Sequence, residues 1–414
     1  MSEIPVFVEG RRVGILAMTR YGDVDFVYDA GVPDRLSVSL TMPVSGDPEN
    51  YTGFNGLPPP FEVALPEGWL HENLVRRFGK YLDLSSDFAL LGVVGRGLVG
   101  RVTFGGPPAE QSLLERLVSA AVSGANARAL AAIVDSMEPS DFGLSGVMPK
   151  LPVACTAEGR PATIAAARQI LKFEAGEYPG IAIAEYLALE CARQFGIPTA
   201  TAHLGQSGDT LLVDRFDRDA EENPLGFEDF CCLSGLRRSG KYNGSMEQAF
   251  SVIDSYVDED HVDEDKLVLL KTLLLNDVLR NGDAHLKNYG LIYTDPAHAR
   301  LAPAYDILDT TLYQPEDRPA MALESGSAEK TWLTEESCHR LGELCGLPVN
   351  VLALREECVT SVQATLAQMR KVIDAGLVDV TARPMAHRIT ERMLAHATIP
   401  LEPSGEELLA PGCF

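Results

Sequence analysis

A chain of 414 residues with 46% hydrophobic and 23% charged content can bury a large core, and its length suits two or three domains. Its 59 acidic against 35 basic residues leave a net charge of −24, which repels a phosphate backbone and disfavours autonomous binding to nucleic acid. No apolar run approaches the roughly 20 residues that a bilayer crossing needs, and Met1-Ser2-Glu3-Ile4-Pro5 lacks the basic start and apolar stretch of a signal peptide, so a cytoplasmic location without membrane attachment is expected.

Three regions separate along the chain. Residues 1–106 carry alternating segments such as Val6 to Gly14 and Val24 to Tyr28, punctuated by Gly, Pro and Asp, which predict a strand-rich module ending near Gly105-Gly106-Pro107-Pro108. Residues 107–250 are mixed. A helix is expected over Leu113 to Ser136, a turn at Gly143 to Gly146, strands at Gln169 to Phe173 and Thr210 to Arg215, and a helix at Ile183 to Gly196. Residues 251–414 are mostly helical: Lys266 to Arg280 is apolar enough for a buried helix, and Val359 to Ala375 and Ala386 to His396 are amphipathic. The eight cysteines (155, 191, 231, 232, 338, 345, 358 and 413) show no C-x-x-C spacing, so they read as small buried hydrophobes rather than a disulfide or zinc framework. The acidic run Asp254 to Asp265 favours a helix start, and its His261 lacks the spacing of a metal loop.

Chemistry concentrates after the buried helix, in Leu279-Arg280-Asn281-Gly282-Asp283-Ala284-His285-Leu286-Lys287-Asn288. In protein kinases a catalytic-loop aspartate accepts the proton of the attacking hydroxyl, and an asparagine five residues on, with a further aspartate, holds magnesium. Asp283 and Asn288 have that spacing. Tyr289 to Tyr293 reads as a strand, Thr294-Asp295-Pro296 as a turn and Arg300 to Ala304 as a returning segment, kept short or at an edge by Pro303; the hairpin would return Asp306 to Asn288. Three oxygen-bearing side chains would then meet at a site suited to Mg²⁺.

Upstream, Phe142-Gly143-Leu144-Ser145-Gly146-Val147-Met148-Pro149-Lys150 sets two glycines, a hydroxyl and a lysine where backbone N–H groups can approach phosphate, although it fits neither common phosphate-loop pattern and is as readily an ordinary turn. Lys172 on a predicted strand and Glu185 on the following helix match the lysine–glutamate pair with which kinases position phosphates. Leu211 to Arg218 is either a lobe-linking strand whose backbone at Asp214, Arg215 and Phe216 meets an adenine, or an exposed charged strand end.

Together these segments resemble the HipA family of serine/threonine kinases, toxins of bacterial type II toxin–antitoxin pairs. The resemblance spans nearly the whole chain and rests on N-x-D-x-H-x-K-N at Asn281 to Asn288, Y-D-I at Tyr305 to Ile307, S-G-x-x-P-K at Ser145 to Lys150 and R-F-D-R at Arg215 to Arg218. Leu36 to Leu40 and Leu65 to Gly68 resemble the family's amino-terminal module. It implies an α+β, bilobal protein-kinase-like fold with a strand-rich N-terminal module and a mostly helical C-terminal lobe. Asp283 would be the catalytic base and Asn288 and Asp306 the Mg²⁺ ligands. ATP would be met by Lys172, by Asp214, Arg215 and Phe216, by His285, which braces the loop, by Lys287, and by the covering loop of Ser145, Gly146, Val147, Met148, Pro149 and Lys150. The implied substrate is a protein such as an aminoacyl-tRNA synthetase. The implied partner is a small helix-turn-helix antitoxin of HipB type, through which alone the chain would contact DNA.

The chain departs from the family at Gly143, where a phosphorylated serine is common, leaving Ser145 as the expected autophosphorylation site, and at Met148, where glutamine is common. Two other readings stay open at this point. The loop also reads D-x-H-x-x-N, as in phosphatidylinositol kinases, which would make a lipid or small molecule the acceptor, and the chain could be a nucleotide- and antitoxin-binding module with little turnover.

Overall fold

The structure is a computed structural model, and it describes residues 2–63, 65, 86–94, 99–105, 150–153, 169–174 and 178–401. The expected helix over Leu113 to Ser136 and the segment Phe142 to Pro149 lie outside these residues.

The amino-terminal module is an antiparallel sheet in the order β4-β3-β2-β1-β5, formed by β1 (Ser2–Val8), β2 (Arg11–Met18), β3 (Asp23–Tyr28), β4 (Phe54–Asn55) and β5 (Val102–Phe104). Alternation along these strands buries Ile4, Val6 and Val8 with Leu16, Val24 and Phe26 on one face, where Phe26, Phe61 and Phe104 pack ring to ring. The module is fastened to the rest of the chain. The buried Glu228 carboxylate accepts from the Ser39 hydroxyl, from Leu40 N at 2.7 Å and from the Tyr293 hydroxyl at 2.7 Å. The buried Arg101 donates to the Thr294 carbonyl at 3.0 Å.

A second antiparallel sheet runs β6-β7-β9-β8, from β6 (Lys150–Val153), β7 (Gln169–Phe173), β8 (Ala202–Leu204) and β9 (Thr210–Asp214). Helix α1 (Ile181–Gln194) follows β7, two residues earlier at each end than its periodicity suggests. A third sheet joins β10 (Gly226–Asp229), β11 (Gly290–Tyr293) and β12 (Arg300–Leu301), so pairing crosses from the mixed region into the helical one.

The longer helices that follow are α2 (Met246–Tyr256), α3 (Val262–Val278), α4 (Glu335–Cys345), α5 (Val351–Val372) and α6 (Arg383–Ala397). Helix α3 is apolar around most of its circumference because it lies between two cores. Leu269, Leu270, Leu273 and Leu274 face one, with Phe230, Phe250, Leu286 and Leu291; Leu275 and Val278 face the other, with α1, α5 and α6. Its buried Asp277 pairs with Arg355 of α5 at 2.9 Å and accepts from Leu333 N at 2.8 Å, so its carboxyl end is held rigidly. The acidic run does more than favour a helix start: buried Asp265 receives the Arg300 guanidinium at 2.8 Å and Leu301 N at 2.7 Å, which ties β12 to α3. Of the eight cysteines, the six among the described residues are buried.

Candidate active site

The end of α3 sets the first part of the site. Helical hydrogen bonding stops where Arg280 turns to a φ of +55°, a left-handed conformation that terminates helices, and Asn281 N returns to the Asn276 carbonyl at 2.8 Å. The Asn281 side chain donates to Asn276 Oδ1 at 2.8 Å and accepts from Asp283 N at 3.1 Å, while Asn276 donates to the Tyr289 hydroxyl at 2.9 Å. Gly282 N donates to Thr310 Oγ1 at 2.8 Å, and a methyl group on Gly282 would lie 2.1 Å from Asp317 Oδ2, so only glycine fits. Asn288 Nδ2 closes the loop on the Asp283 carbonyl at 2.8 Å, which leaves the Asn288 amide oxygen as the atom able to meet a cation. His285 N also bonds the Asp283 carbonyl at 2.8 Å, and its buried ring packs edge to face on Tyr242 at 5.1 Å. The Asp283 carboxylate remains accessible, and its Oδ1 accepts the Tyr242 hydroxyl at 2.7 Å.

The second part arrives from the hairpin. Ala304 pairs with Thr199 in a parallel bridge, with Ala304 N on the Pro198 carbonyl at 2.7 Å and Ala200 N on the Ala304 carbonyl at 3.0 Å. The returning chain is therefore stitched beside β8, and the Tyr305 hydroxyl, kept protonated by burial, donates to the Lys287 carbonyl at 2.8 Å. That bond ties the residue before Asp306 to the residue before Asn288, with Asp306 at a φ of +53°.

The third part is Lys172. It is 4% exposed, and its ammonium bonds both Glu185 of α1 and Asp306. Burial opposes the charge, but the Asp306 and Glu185 carboxylates outweigh it and hold the lysine pKa above its ordinary value, so the ammonium stays charged. One cation thereby joins the sheet, α1 and the hairpin return. Lys150 opens β6 opposite Lys172 in the register, and Ser145, Gly146, Val147, Met148 and Pro149 lie outside the described residues.

Asp214 closes β9, accepting from Gln169 at 2.7 Å, and Phe216 packs on Tyr305 at 5.4 Å and on Phe227 at 5.7 Å. The segment is not an exposed charged strand end: Arg215 is buried in an ion pair with Asp217, which in turn accepts Gly100 N at 2.7 Å. Lys287 has its ammonium 3.9 Å from Asp229, the cap of the Phe230–Leu233 turn, while its carbonyl accepts the Tyr305 hydroxyl.

Among the described residues no group of three or more His, Cys, Asp and Glu side chains is placed to hold a metal. Asn288 and Asp306 offer one amide and one carboxylate oxygen, a hard-donor pair of the kind Mg²⁺ takes when phosphates and water complete its shell. No described helix is long and apolar enough to cross a membrane. Tyr242 and Thr310 escaped the sequence reading, since each meets the loop from about 30 to 40 residues away and neither lies in a recognisable pattern.

Comparison with known proteins bears on the family and the fold. Residues 142–373 match the family model of the HipA-like C-terminal domain, and residues 4–105 match that of the HipA N-terminal domain. Two Sinorhizobium fredii proteins are each 27% identical: "Putative kinase Y4dM" over 96% of this chain and 97% of its own length, and "Putative kinase Y4mE" over 78% and 80%. Among solved structures, the Shewanella oneidensis toxin–antitoxin complex of HipA, HipB and operator DNA superposes with a TM-score of 0.68 at 19% identity, covering 95% of this chain and 96% of that one.

Proposed function

The chain belongs to the HipA family, and on that premise we propose that it is an ATP- and Mg²⁺-dependent serine/threonine protein kinase acting as the toxin of a type II toxin–antitoxin pair. The observation that carries the reading is the buried Lys172, bound at once to Glu185 and Asp306 beside the Asp283–Asn288 loop. A core built only for stability has little use for this arrangement, because burying two charges beside a third that is partly covered costs desolvation that apolar side chains avoid.

Bound Mg·ATP supplies the phosphoryl group and the charge neutralisation of its phosphates. The chain's own groups do the rest. Asp283, accessible on a loop fixed from both sides, accepts the proton of the attacking hydroxyl. Lys172, held charged, would orient phosphate oxygens; Asn288 and Asp306 would present oxygen donors to the metal; the backbone of Asp214, Arg215 and Phe216 would meet the adenine, and Ser145 to Lys150 would contact the phosphates. Catalysis is mainly positioning and preorganised electrostatics. The functional division we favour is an amino-terminal module to about residue 106, a nucleotide-side region to about 250 and a catalytic helical region beyond.

The protein substrate we favour is a translation component such as an aminoacyl-tRNA synthetase. The antitoxin we favour is a small helix-turn-helix protein of HipB type; the HipA–HipB–operator complex supports this, and the charge of −24 leaves DNA contact to the partner. The test is ATP-dependent labelling of a bacterial lysate by wild type and Asp283→Ala, with labelled sites mapped by mass spectrometry. A discrete protein labelled on serine or threonine by wild type only, with ATP binding retained in the variant, supports the kinase. Label in lipid, or turnover that survives Asp283→Ala, refutes it.

A further inference from the structure

Asp306 stands at a φ of +53°, a left-handed conformation that a residue with a side chain keeps only where the chain around it is held. Before it, Ala304 is bridged to Thr199 and the Tyr305 hydroxyl bonds the Lys287 carbonyl. After it, the chain passes through the buried Ile307 to Asp309, whose side chain is fully buried. The Asp309 carboxylate accepts from His396 Nδ1 of α6 at 2.6 Å and from the Thr311 hydroxyl at 2.7 Å. Resting on the kinase reading, we propose that His396 is a positioning residue for phosphoryl transfer: it fixes Asp309, and through Asp309 the Asp306 carboxylate and the loop that carries Asp283.

A carboxylate can only accept, so Nδ1 of the His396 ring carries a proton and donates it to the bond. Removing that donor leaves a fully buried carboxylate short of a partner, and the backbone must shift to let water replace it. The shift reaches both halves of the site. Asp309 lies three residues beyond Asp306, and its neighbour Thr310 accepts Gly282 N at 2.8 Å, one residue before Asp283. Helix α6 grips the same turn a second time, because Arg392 donates to the Leu312 carbonyl at 2.8 Å and to that of Thr311 at 3.1 Å. Packing of α6 requires neither contact, since Ala386, Ile389, Met393 and Ala397 already bury it in the core shared with α1 and α5.

His396→Ala removes the donor, and His396→Asn sets an amide N–H close to where Nδ1 stands. A tie that served stability alone would lower the melting temperature and leave the folded enzyme's use of Mg²⁺ unchanged. With bacterial lysate proteins as acceptors, saturating ATP and temperatures well below each melting point, His396→Ala should need about tenfold more Mg²⁺ for half-maximal Asp283-dependent labelling, with a maximal rate about tenfold lower. His396→Asn should recover most of both losses, and Arg392→Met, which releases the far end of the same turn, should move both parameters in the direction of His396→Ala. A folded His396→Ala with both parameters at wild-type values, or His396→Asn no better than His396→Ala, would overturn the positioning role while the kinase stands. Where His396→Ala does not fold, unchanged Mg²⁺ dependence and maximal rate in Arg392→Met overturn it instead. Absence of Asp283-dependent label from the wild type overturns the kinase reading and the positioning role with it.

Discussion

Replacing Lys172 by Met removes the cation while keeping most of the side-chain volume. Two carboxylates then remain without it: Glu185, 5% exposed, and the Asp306 side chain, about a quarter exposed. Removing one partner of a buried ion pair costs about 3–5 kcal/mol, and the full lysine contribution is available at neutral pH. Because its folded pKa is raised, that stability is complete below the ordinary lysine range and lost only as pH climbs through the higher folded value. At about 2–4 °C per kcal/mol for a domain of some 200 residues, the melting temperature should fall by on the order of 10 °C between pH 6 and 9. The double variant Lys172→Met/Glu185→Gln should recover more than half of that, since Asp306 alone can hydrate. Circular dichroism melts of the three proteins decide it. A single variant within about 2 °C of wild type, or a double variant no better than the single, would refute a buried, coupled pair.

Asp306→Asn keeps the shape but not the charge, so Lys172 retains Glu185 and the fold holds. The Mg²⁺ concentration giving half-maximal turnover should rise at least about tenfold, and an unchanged titration would remove Asp306 from the metal site. Gly282→Ala has no room beside Asp317 and Arg318; overpacking of this kind costs about 1–3 kcal/mol, and displacement of the loop should cut turnover while ATP binding, read by calorimetry, changes little. Glu174 lies half-buried before α1, accepting Gly180 N at 2.6 Å; partial burial pushes its carboxyl up to about 7 despite that bond, with the Asp209 charge adding to the rise. Its ionised form is therefore the costly one, so stability from this group declines as pH rises from about 4.5 to 7, by an amount that solvent screening at this half-exposed site reduces. Denaturant midpoints of Glu174→Gln should lack that decline; a variant that tracks wild type across this window would refute it.

Local information reached far in this chain. The apolar density of residues 266–280 is enough for a buried helix because no single amphipathic face could satisfy it, and α3 does bury against two cores. The five-residue spacing from Asp283 to Asn288 is legible because a loop that closes on itself sets that distance, here through Asn288 Nδ2 on the Asp283 carbonyl. Strand β7, from Gln169 to Phe173, was readable as a short β-rich run that carries Lys172. By itself, then, the sequence determined the identity of the chemical groups, the loop that presents Asp283, and the family those motifs belong to. Tertiary structure alone decided who faces whom. Lys172 meets Asp306 across 134 residues, the Tyr242 phenol reaches Asp283 across 41, and Arg215 is drawn into the interior by Asp217. None of these follows from spacing or periodicity, because a long-range pair is chosen by which packed surfaces bring two side chains within hydrogen-bond distance, and by whether burial leaves a charge any other partner.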